Sequence, residues 1–178
     1  MTDLTSGVTA PSLHVALVEP EIHWNTGNAG RTCLASGAQL HLIGPLGFSL
    51  AEREVRRAGL DYWPRVLPRL WPDWATFEAA LPSLGDAWFF SAEAPKSYWE
   101  ADFASSRSTV LIFGKESTGL DANLRQRYRD RLLGIPMANR AAEDGAAGVR
   151  SLNLSTSVAV AIYDVLRQRA DAARGSGK

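Results

Sequence analysis

Cysteine is nearly absent from this sequence, since Cys33 is the only one among 178 residues. A single thiol excludes an intramolecular disulfide framework and a cysteine-rich metal site. Its place in the stretch TCLASG favours a buried, unreactive side chain. No stretch approaches the roughly 18 consecutive apolar residues that a membrane span requires, and the amino-terminal MTDLTSGVTAPS lacks the basic start and apolar run of a secretory signal. We therefore expect a protein of the reducing cytoplasm that does not cross a membrane.

An excess of charge of either sign is also missing. The 19 basic and 19 acidic residues cancel, so net charge gives no indication of a nucleic-acid partner. Lysine is scarce: only Lys96, Lys115 and Lys178 are lysines, which makes 16 of the 19 basic residues arginine. The planar guanidinium of arginine suits phosphates and carboxylates, although a compositional bias of the source genome would produce the same excess.

The composition and length favour one folded domain. A hydrophobic fraction of 46% is enough for a packed core. We expect a flexible lead-in over residues 1–12, a single domain over 13–172 and a flexible tail over 173–178. Strand-like and helical segments alternate along the domain, which predicts an α/β fold with a mainly parallel sheet and helices on both faces.

Local signals predict the individual elements. Apolar and β-branched runs predict strands over residues 13–19, 39–44, 87–92, 108–114 and 131–136, with a short extended piece at 65–67. Capping and stop signals predict helices within 25–37 and over 49–59, 73–81, 121–130 and 153–172. Asn25 or Thr26 is the expected cap of the first helix.

The loop after the first strand, EPEIHWNTGNAGRT, concentrates glycines and polar residues between Asn25 and Arg31. Glycines let the backbone approach a ligand closely, and a helix amino terminus favours an anion. The spacing G-N-A-G differs from G-x-G-x-x-G, which argues against a nucleotide-dependent oxidoreductase. Arg31 is either a ligand-binding residue or part of a surface ion pair. Trp24 is a candidate platform for stacking an RNA base.

Two further polar loops follow strand ends. The segment FGKESTGLD lacks the first glycine and spacer of a Walker A sequence, and its Glu116 is either a ligand-binding group or an ordinary turn carboxylate. The segment IPM leads to the start of the last helix, where Arg150, Ser151 and Asn153 crowd together. One polar residue caps a helix, so the surplus indicates a ligand. No Cys/His/carboxylate spacing indicates a metal site.

In this order, the three loops resemble the three motifs of the SPOUT methyltransferases, specifically the branch that methylates ribose 2′-hydroxyl groups in RNA. The motifs stand here as Asn25-TGNAG-Arg31, LIFGKESTGL, and IPM followed by RSLNLSTSVAVA, and the resemblance covers about residues 13–169. The opening EPEI-xx-NTGN, the segment RRAGLDYW and the compact length are most similar to the subfamily that modifies the wobble cytidine or uridine of tRNA.

The link over residues 137–149 is longer than in that subfamily and is either a mobile lid or a neutral surface extension. Methylation of rRNA or of another tRNA position stays open as an alternative substrate. A non-catalytic RNA-binding protein of the same fold is a further alternative.

The resemblance implies a carboxyl-terminal deep trefoil knot whose loops bind S-adenosylmethionine, the methyl donor, largely through main-chain groups. It also implies a homodimer in which the last helix contributes to the interface, and no metal. Matched by motif, the donor-binding residues are Gly114, Ile135, Ser151, Phe90, Leu152, Glu116 and Met137.

The same resemblance implies that Arg31 activates the ribose hydroxyl, with Asn25, Asn153 and Ser151 beside it. Because the pKa of arginine exceeds roughly 12, Arg31 acts either as an unusual base or as an orienting and electrostatic group. The arginines expected to hold the RNA are Arg53, Arg56, Arg57 and Arg129.

Overall fold

The computed structural model describes residues 12–50, 61–139 and 148–175. Its strands are β1 (Leu13–Val18), β2 (Gln39–Ile43), β3 (Arg69–Trp71), β4 (Asp86–Phe90), β5 (Thr109–Phe113) and β6 (Leu132–Leu133). Its α-helices are α1 (His23–Ser36), α2 (Trp63–Val66), α3 (Trp74–Leu84), α4 (Ala122–Arg127) and α5 (Leu154–Gly175), with short 3₁₀ turns at Tyr98–Glu100 and Arg129–Arg131. The predicted helix over 49–59 lies almost wholly outside the described residues.

The strands form one six-stranded sheet in the order β3-β2-β1-β5-β4-β6. Every named pairing in it is parallel, which confirms the predicted α/β fold with a parallel sheet. Parallel neighbours require crossover connections, and the intervening helices supply them. All strand carboxyl ends therefore lie along one edge of the sheet.

Helices cover both faces of this sheet, as predicted. Alternate residues of β1 point to opposite faces: Val15 and Leu17 pack in one buried cluster, Ala16 and Val18 in the other. The α-helices contribute to the first cluster Ala29 and Cys33 of α1, Val66 of α2, and Leu154, Val158, Ala161, Ile162 and Val165 of α5. Those contributed to the second are Phe77 and Leu81 of α3.

The single cysteine is part of the first cluster. Cys33 is 1% exposed, and burial raises the pKa of its thiol to about 12. A thiol that stays protonated is a poor nucleophile and a poor metal ligand. Cys33 is therefore a small apolar core residue, as the sequence indicated.

The first helix begins earlier than predicted. Its N-cap is Ile22, which makes no side-chain capping bond, so neither Asn25 nor Thr26 is the cap. The prediction was wrong because the backbone just before the helix, at Glu21 and Ile22, is held by the side chain of Glu116, which is distant in sequence. The predicted end is correct, since Gly37 adopts the left-handed conformation with φ 73°.

Other boundaries also differ from the predictions. The last strand covers only Leu132–Leu133 instead of residues 131–136, and the helix expected over 121–130 is Ala122–Arg127, followed by a 3₁₀ turn. The extended piece expected at 65–67 is helical up to Val66, and the strand lies at Arg69–Trp71. Proline in the first turn of α2 favours that short helix. The third helix continues through Pro82 to Leu84, and Gly85, whose N–H donates to the carbonyl of Leu81, ends it. The last helix reaches Gly175, so the first residues of the expected tail are helical.

Helix α5 is fixed at both edges of the sheet. At its far end, the Arg169 guanidinium donates to the Ser12 carbonyl at 3.1 Å and to the Thr109 hydroxyl at 3.0 Å, where β1 and β5 begin. Gln168 accepts from the Phe103 N–H at 2.9 Å and donates to the Ala101 carbonyl at 3.1 Å. These contacts hold the amino terminus of α5 at the opposite edge, among the carboxyl ends of the strands.

Candidate active site

Three of the predicted donor-binding residues meet at the carboxyl edge of the sheet. Phe90 is in register with Phe113 of β5 on one side and Leu133 of β6 on the other. Gly114 directly follows Phe113, and Ile135 lies two residues beyond Leu133. The ring of Phe90 stacks on that of Phe113 at 4.7 Å and is only 7% exposed. A ligand at this edge would therefore meet the main chain of Phe90 rather than its ring.

The loop after β5 folds back over Gly114. Lys115 and Gly119 exchange main-chain hydrogen bonds at 3.1 and 3.0 Å, and Gly119 adopts a left-handed φ of 71°. A Cβ atom on Gly114 would lie 2.1 Å from the carbonyl carbon of Gly119. Glycine at position 114 is thus required by the loop itself, whatever the loop binds.

Glu116 connects this loop to the start of α1. One carboxylate oxygen accepts from the Glu21 N–H at 2.8 Å, and the other accepts from the Ile22 N–H at 3.2 Å and the Asn25 amide at 3.0 Å. A carboxylate at a helix amino terminus is stabilised by unpaired N–H groups and by the helix dipole. Both oxygens are occupied by the segment from Glu21 to Asn25, so Glu116 fixes the geometry of the first two loops.

Asn25 extends this connection to the third loop. Its side-chain oxygen accepts from the Asn153 amide at 2.8 Å. The Asn153 oxygen in turn accepts from the Ser155 N–H at 2.9 Å and, more weakly, from the Thr156 N–H at 3.4 Å. Asn153 is therefore the cap of α5, as the sequence allowed.

The partners determine how both amides are oriented. A carboxylate only accepts hydrogen bonds, so the Asn25 amide nitrogen must face Glu116. The Asn153 oxygen faces the helix N–H groups, which leaves its nitrogen for Asn25. The chain Glu116–Asn25–Asn153 thus joins all three predicted motifs through side-chain hydrogen bonds.

Two further contacts reinforce the junction of the first two loops. Glu21 accepts from the N–H and the hydroxyl of Ser117, both at 2.9 Å, and these bonds hold the pKa of Glu21 below its ordinary value. Lys115 lies 2.6 Å from the Glu19 carboxylate, and that pair raises the pKa of Lys115. Each of the two loops therefore contributes a carboxylate that binds groups of the other loop.

Arg31 does not join this network. It follows Asn25 by six residues on α1, which turns its side chain about 120° around the helix from that of Asn25. Its guanidinium instead lies over the ring of Tyr62, 5.3 Å from the centroid. Tyr62 is a residue that the sequence reasoning missed, because no local signal relates it to a side chain 31 positions earlier.

The remaining predicted residues stand at the same edge with fewer contacts. Ser151 is exposed, and Leu152 and Met137 are half-buried. Within the described residues, no hydrogen bond to the main chain of Ile135, Met137 or Leu152 is formed. Their polar backbone groups are therefore available to a ligand.

Of the arginines expected to hold RNA, Arg129 is exposed and lies 3.9 Å from Asp130. Arg53, Arg56 and Arg57 lie outside the described residues. The described part of the chain contains no group of three or more side chains suited to hold a metal ion. None of the helices described above is long and apolar enough to cross a membrane.

The parallel sheet, with its ligand-accessible carboxyl edge and three connected loops, defines an α/β protein of the kind that binds ligands beyond its strand ends. Residues 12–163 match the model of the SpoU rRNA Methylase family. The chain therefore belongs to the SpoU methylase family, as the three motifs indicated.

Individual relatives agree with this assignment. The chain is 38% identical over 157 residues to the tRNA (cytidine(34)-2′-O)-methyltransferase of Burkholderia ambifaria, covering 87% of this chain and 94% of that protein. It is 41% identical over 159 residues to a Geobacillus stearothermophilus protein provisionally given the same name, covering 89% and 96%. A solved structure described by the 2-OH methylation of C/U34 on tRNA superposes with a TM-score of 0.77, at 43% identity over 91% of this chain and 99% of that one.

Proposed function

We propose that this chain transfers a methyl group from S-adenosylmethionine to the ribose 2′-hydroxyl of the wobble nucleotide of tRNA, cytidine or uridine. The observation that carries the proposal is the chain Glu116–Asn25–Asn153, which brings the three motif loops together at one edge of the sheet. The activity stated in the name of the Burkholderia ambifaria relative, which this chain matches over most of its length, supports the same substrate. The cytoplasm is the compartment proposed for it.

The described residues fit the methyl donor. The main chain of Ile135, Met137 and Leu152 is uncommitted within the described ranges, and Phe90 and Gly114 place backbone beside it. We assign donor binding to these groups together with Ser151. Glu116 differs from this expectation, because its two oxygens already accept hydrogen bonds from the segment from Glu21 to Asn25; its proposed role is to hold the pocket in shape.

The chemistry requires in-line placement more than activation of the donor. S-adenosylmethionine supplies an electrophilic methyl group, so positioning the hydroxyl supplies much of the catalysis. The hydroxyl must also lose its proton as it attacks. A guanidinium stays protonated at neutral pH, and we therefore assign Arg31 to orienting the hydroxyl and stabilising the developing negative charge.

The two asparagines have different proposed roles. Asn25 is 7% exposed and bonded on both sides, so it holds the loops together. Asn153 is exposed; its oxygen caps α5 and one of its amide N–H groups is bound to Asn25, which leaves the second N–H for a ribose. Ser151, whose hydroxyl has no partner among the described residues, is the second group placed to contact it.

Further proposed features concern assembly and RNA binding. We propose the carboxyl-terminal trefoil knot and a homodimer in which α5 contributes to the interface. Beside Asn25, the ring of Trp24 is 50% exposed and lies 4.7 Å from that of His23. Open aromatic faces stack unpaired bases, so Trp24 is the proposed contact for a base near the target nucleotide.

The function is tested by mass spectrometry of tRNA from a strain lacking the gene. Loss of one ribose methyl at the wobble nucleotide, restored by the intact gene, is the expected result. Purified protein with S-adenosylmethionine should then methylate unmodified tRNA at that position. Loss of a methyl from rRNA or from another tRNA position would contradict the proposed substrate, and RNA binding without donor binding in calorimetry would contradict the reaction.

A further inference from the structure

We infer that Tyr62 is the positioning residue for Arg31, supporting the guanidinium by its ring while leaving the positive charge and the N–H donors free for RNA. The inference rests on the proposed role of Arg31 in the methyl transfer. It concerns a different question, namely how an exposed arginine is kept in one place.

Tyr62 contacts the same turn of α1 at two levels. Its hydroxyl donates to the Gly27 carbonyl at 3.0 Å, which is also the carbonyl that pairs with the Arg31 N–H in a regular α-helix. Its ring lies beneath the Arg31 guanidinium at 5.3 Å, within the range of a cation–π interaction. With 7% of its surface exposed, Tyr62 has little freedom to move away.

Gly30 of α1 makes this approach possible. A Cβ atom at Gly30 would lie 2.8 Å from the ring of Trp63 and 3.2 Å from Val66. The missing side chain therefore allows α2 to pack directly against α1, and Tyr62 precedes Trp63 at its start. Glycine at position 30 therefore leaves the space in which α2 and the preceding Tyr62 pack beside Arg31.

A ring suits this position better than a carboxylate would. Arg167, on the surface of α5, is held by Asp164 at 2.7 Å and Asp171 at 3.1 Å, and these carboxylates occupy its donors and neutralise its charge. Across the described ranges, Arg31 forms no ion pair and no hydrogen bond through its guanidinium. An aromatic face attracts the cation without consuming an N–H donor, so Arg31 remains able to bind an anionic or developing anionic oxygen.

The phenol of Tyr62 stays a neutral donor under ordinary conditions. Burial raises the pKa of Tyr62, and the nearby positive charge of Arg31 opposes that rise in part. The hydroxyl therefore keeps its bond to Gly27 while the ring faces the guanidinium.

The decisive test varies the electron density of the ring without changing its shape. Phenylalanine with zero, one, two or three fluorine atoms is placed at position 62 of the full chain, and kcat is measured with tRNA and S-adenosylmethionine. Each fluorine weakens a cation–π interaction, so kcat should fall stepwise, by roughly two- to fivefold over the series. Tyr62→Leu should lower kcat at least as much, with donor affinity unchanged. The same series at Phe103, a fully buried ring distant in sequence from both residues, is the matched control and should leave kcat constant.

A second measurement detects the contact without relying on activity. In ¹⁵N-labelled protein, the Arg31 side-chain signals should carry a ring-current shift that Tyr62→Leu removes and Tyr62→Phe keeps. No such shift in the unmodified protein, or a kcat indifferent to fluorination, would overturn the inference. If the unmodified protein methylates no RNA, the proposed function fails instead, and the spectroscopic comparison still decides whether Tyr62 holds Arg31.

Discussion

Two groups of side chains in the three motif loops differ in how much of their hydrogen-bonding capacity is occupied. The interlocked group consists of Glu21, Asn25, Glu116, Ser117 and Asn153, which bond to one another or to the start of a helix. The open group consists of Trp24, Arg31 and Ser151, whose side chains form no hydrogen bond within the described ranges.

The difference separates groups that build the site from groups that face a substrate. Asn25, the buried member of the interlocked group, is removed from water and must find partners inside the protein; Glu116 and Asn153 supply them. Exposed polar groups keep water as a partner and can exchange it for a ligand at small cost. Substitutions in the interlocked group should therefore lower stability first, whereas substitutions in the open group should lower activity alone.

The largest expected effect is that of Arg31→Ala on catalysis. Removing one preorganised electrostatic group from a reaction centre costs roughly 10²–10³-fold in kcat. Stability should change by less than about 0.5 kcal/mol, because an exposed side chain with one ring contact is removed. Turnover with tRNA and urea unfolding measure the two quantities. Arg174→Ala, at the far end of α5, is the control, and equal kcat values for Arg31→Ala and the unmodified protein would assign the chemistry elsewhere.

Glu116→Ala should lower the free energy of unfolding, whereas Arg31→Ala lowers kcat. The substitution leaves two backbone N–H groups and the Asn25 amide without their acceptor. Hydrogen bonds to a charged group are worth about 1.5–3 kcal/mol each when buried, and partial exposure reduces the sum to about 2–3 kcal/mol. Urea unfolding measures the change.

Two companion variants sharpen the Glu116 test. Glu116→Gln keeps one acceptor oxygen, so its free energy of unfolding should lie between those of Glu116→Ala and the unmodified protein. Glu78→Ala removes a carboxylate that binds Arg127 and Tyr128 elsewhere, and it should leave donor affinity unchanged. A Glu116→Ala protein of full stability would mean that the three loops hold their positions without this connection.

The contrast also explains which features could be predicted from the sequence. The stop at Gly37 and the cap of α5 depend on neighbours along the chain, so local signals predicted the stop and left the cap open between Ser151 and Asn153. The start of α1 was misplaced because the backbone just before it, at Glu21 and Ile22, is held by Glu116, more than ninety positions away. Similarly, the contact of Tyr62 with Arg31 arises only when α2 packs on α1, which no periodicity describes. Gly114 was interpreted as donor-loop backbone, but its most direct constraint is the fold of its own loop.

Within the open group, Trp24 should affect RNA binding without affecting stability. Stacking of one base on an aromatic side chain is worth about 1–3 kcal/mol, and we expect about 1 kcal/mol because only half of the ring is accessible. Binding of an anticodon stem-loop to Trp24→Ala measures it, with Trp24→Phe expected to restore most of the affinity. Trp99, 68% exposed at a different turn, provides the control Trp99→Ala. Equal losses in both variants would mean that exposed tryptophans contribute nonspecifically, and a change in oligomeric state of Trp24→Ala would place this ring in a subunit interface.

The smallest expected effect is the dependence of the interlocked group on pH. Hydrogen bonds from Ser117 lower the pKa of Glu21 below its ordinary value of 4.5, so the folded state binds a proton less readily than the unfolded state. The contribution of Glu21 to stability is therefore complete above pH 4.5 and is lost as the pH falls through the lowered value. Thermal unfolding should give the unmodified protein a slightly higher unfolding temperature than Glu21→Gln at pH 6.5, and this difference should narrow at pH 3.5.

The control is Asp130→Asn, which removes a carboxylate that is 96% exposed. Its difference in unfolding temperature from the unmodified protein should not narrow in the same way. A difference that stays constant between the two pH values would mean that the charge of Glu21 adds no stability through its contact with Ser117.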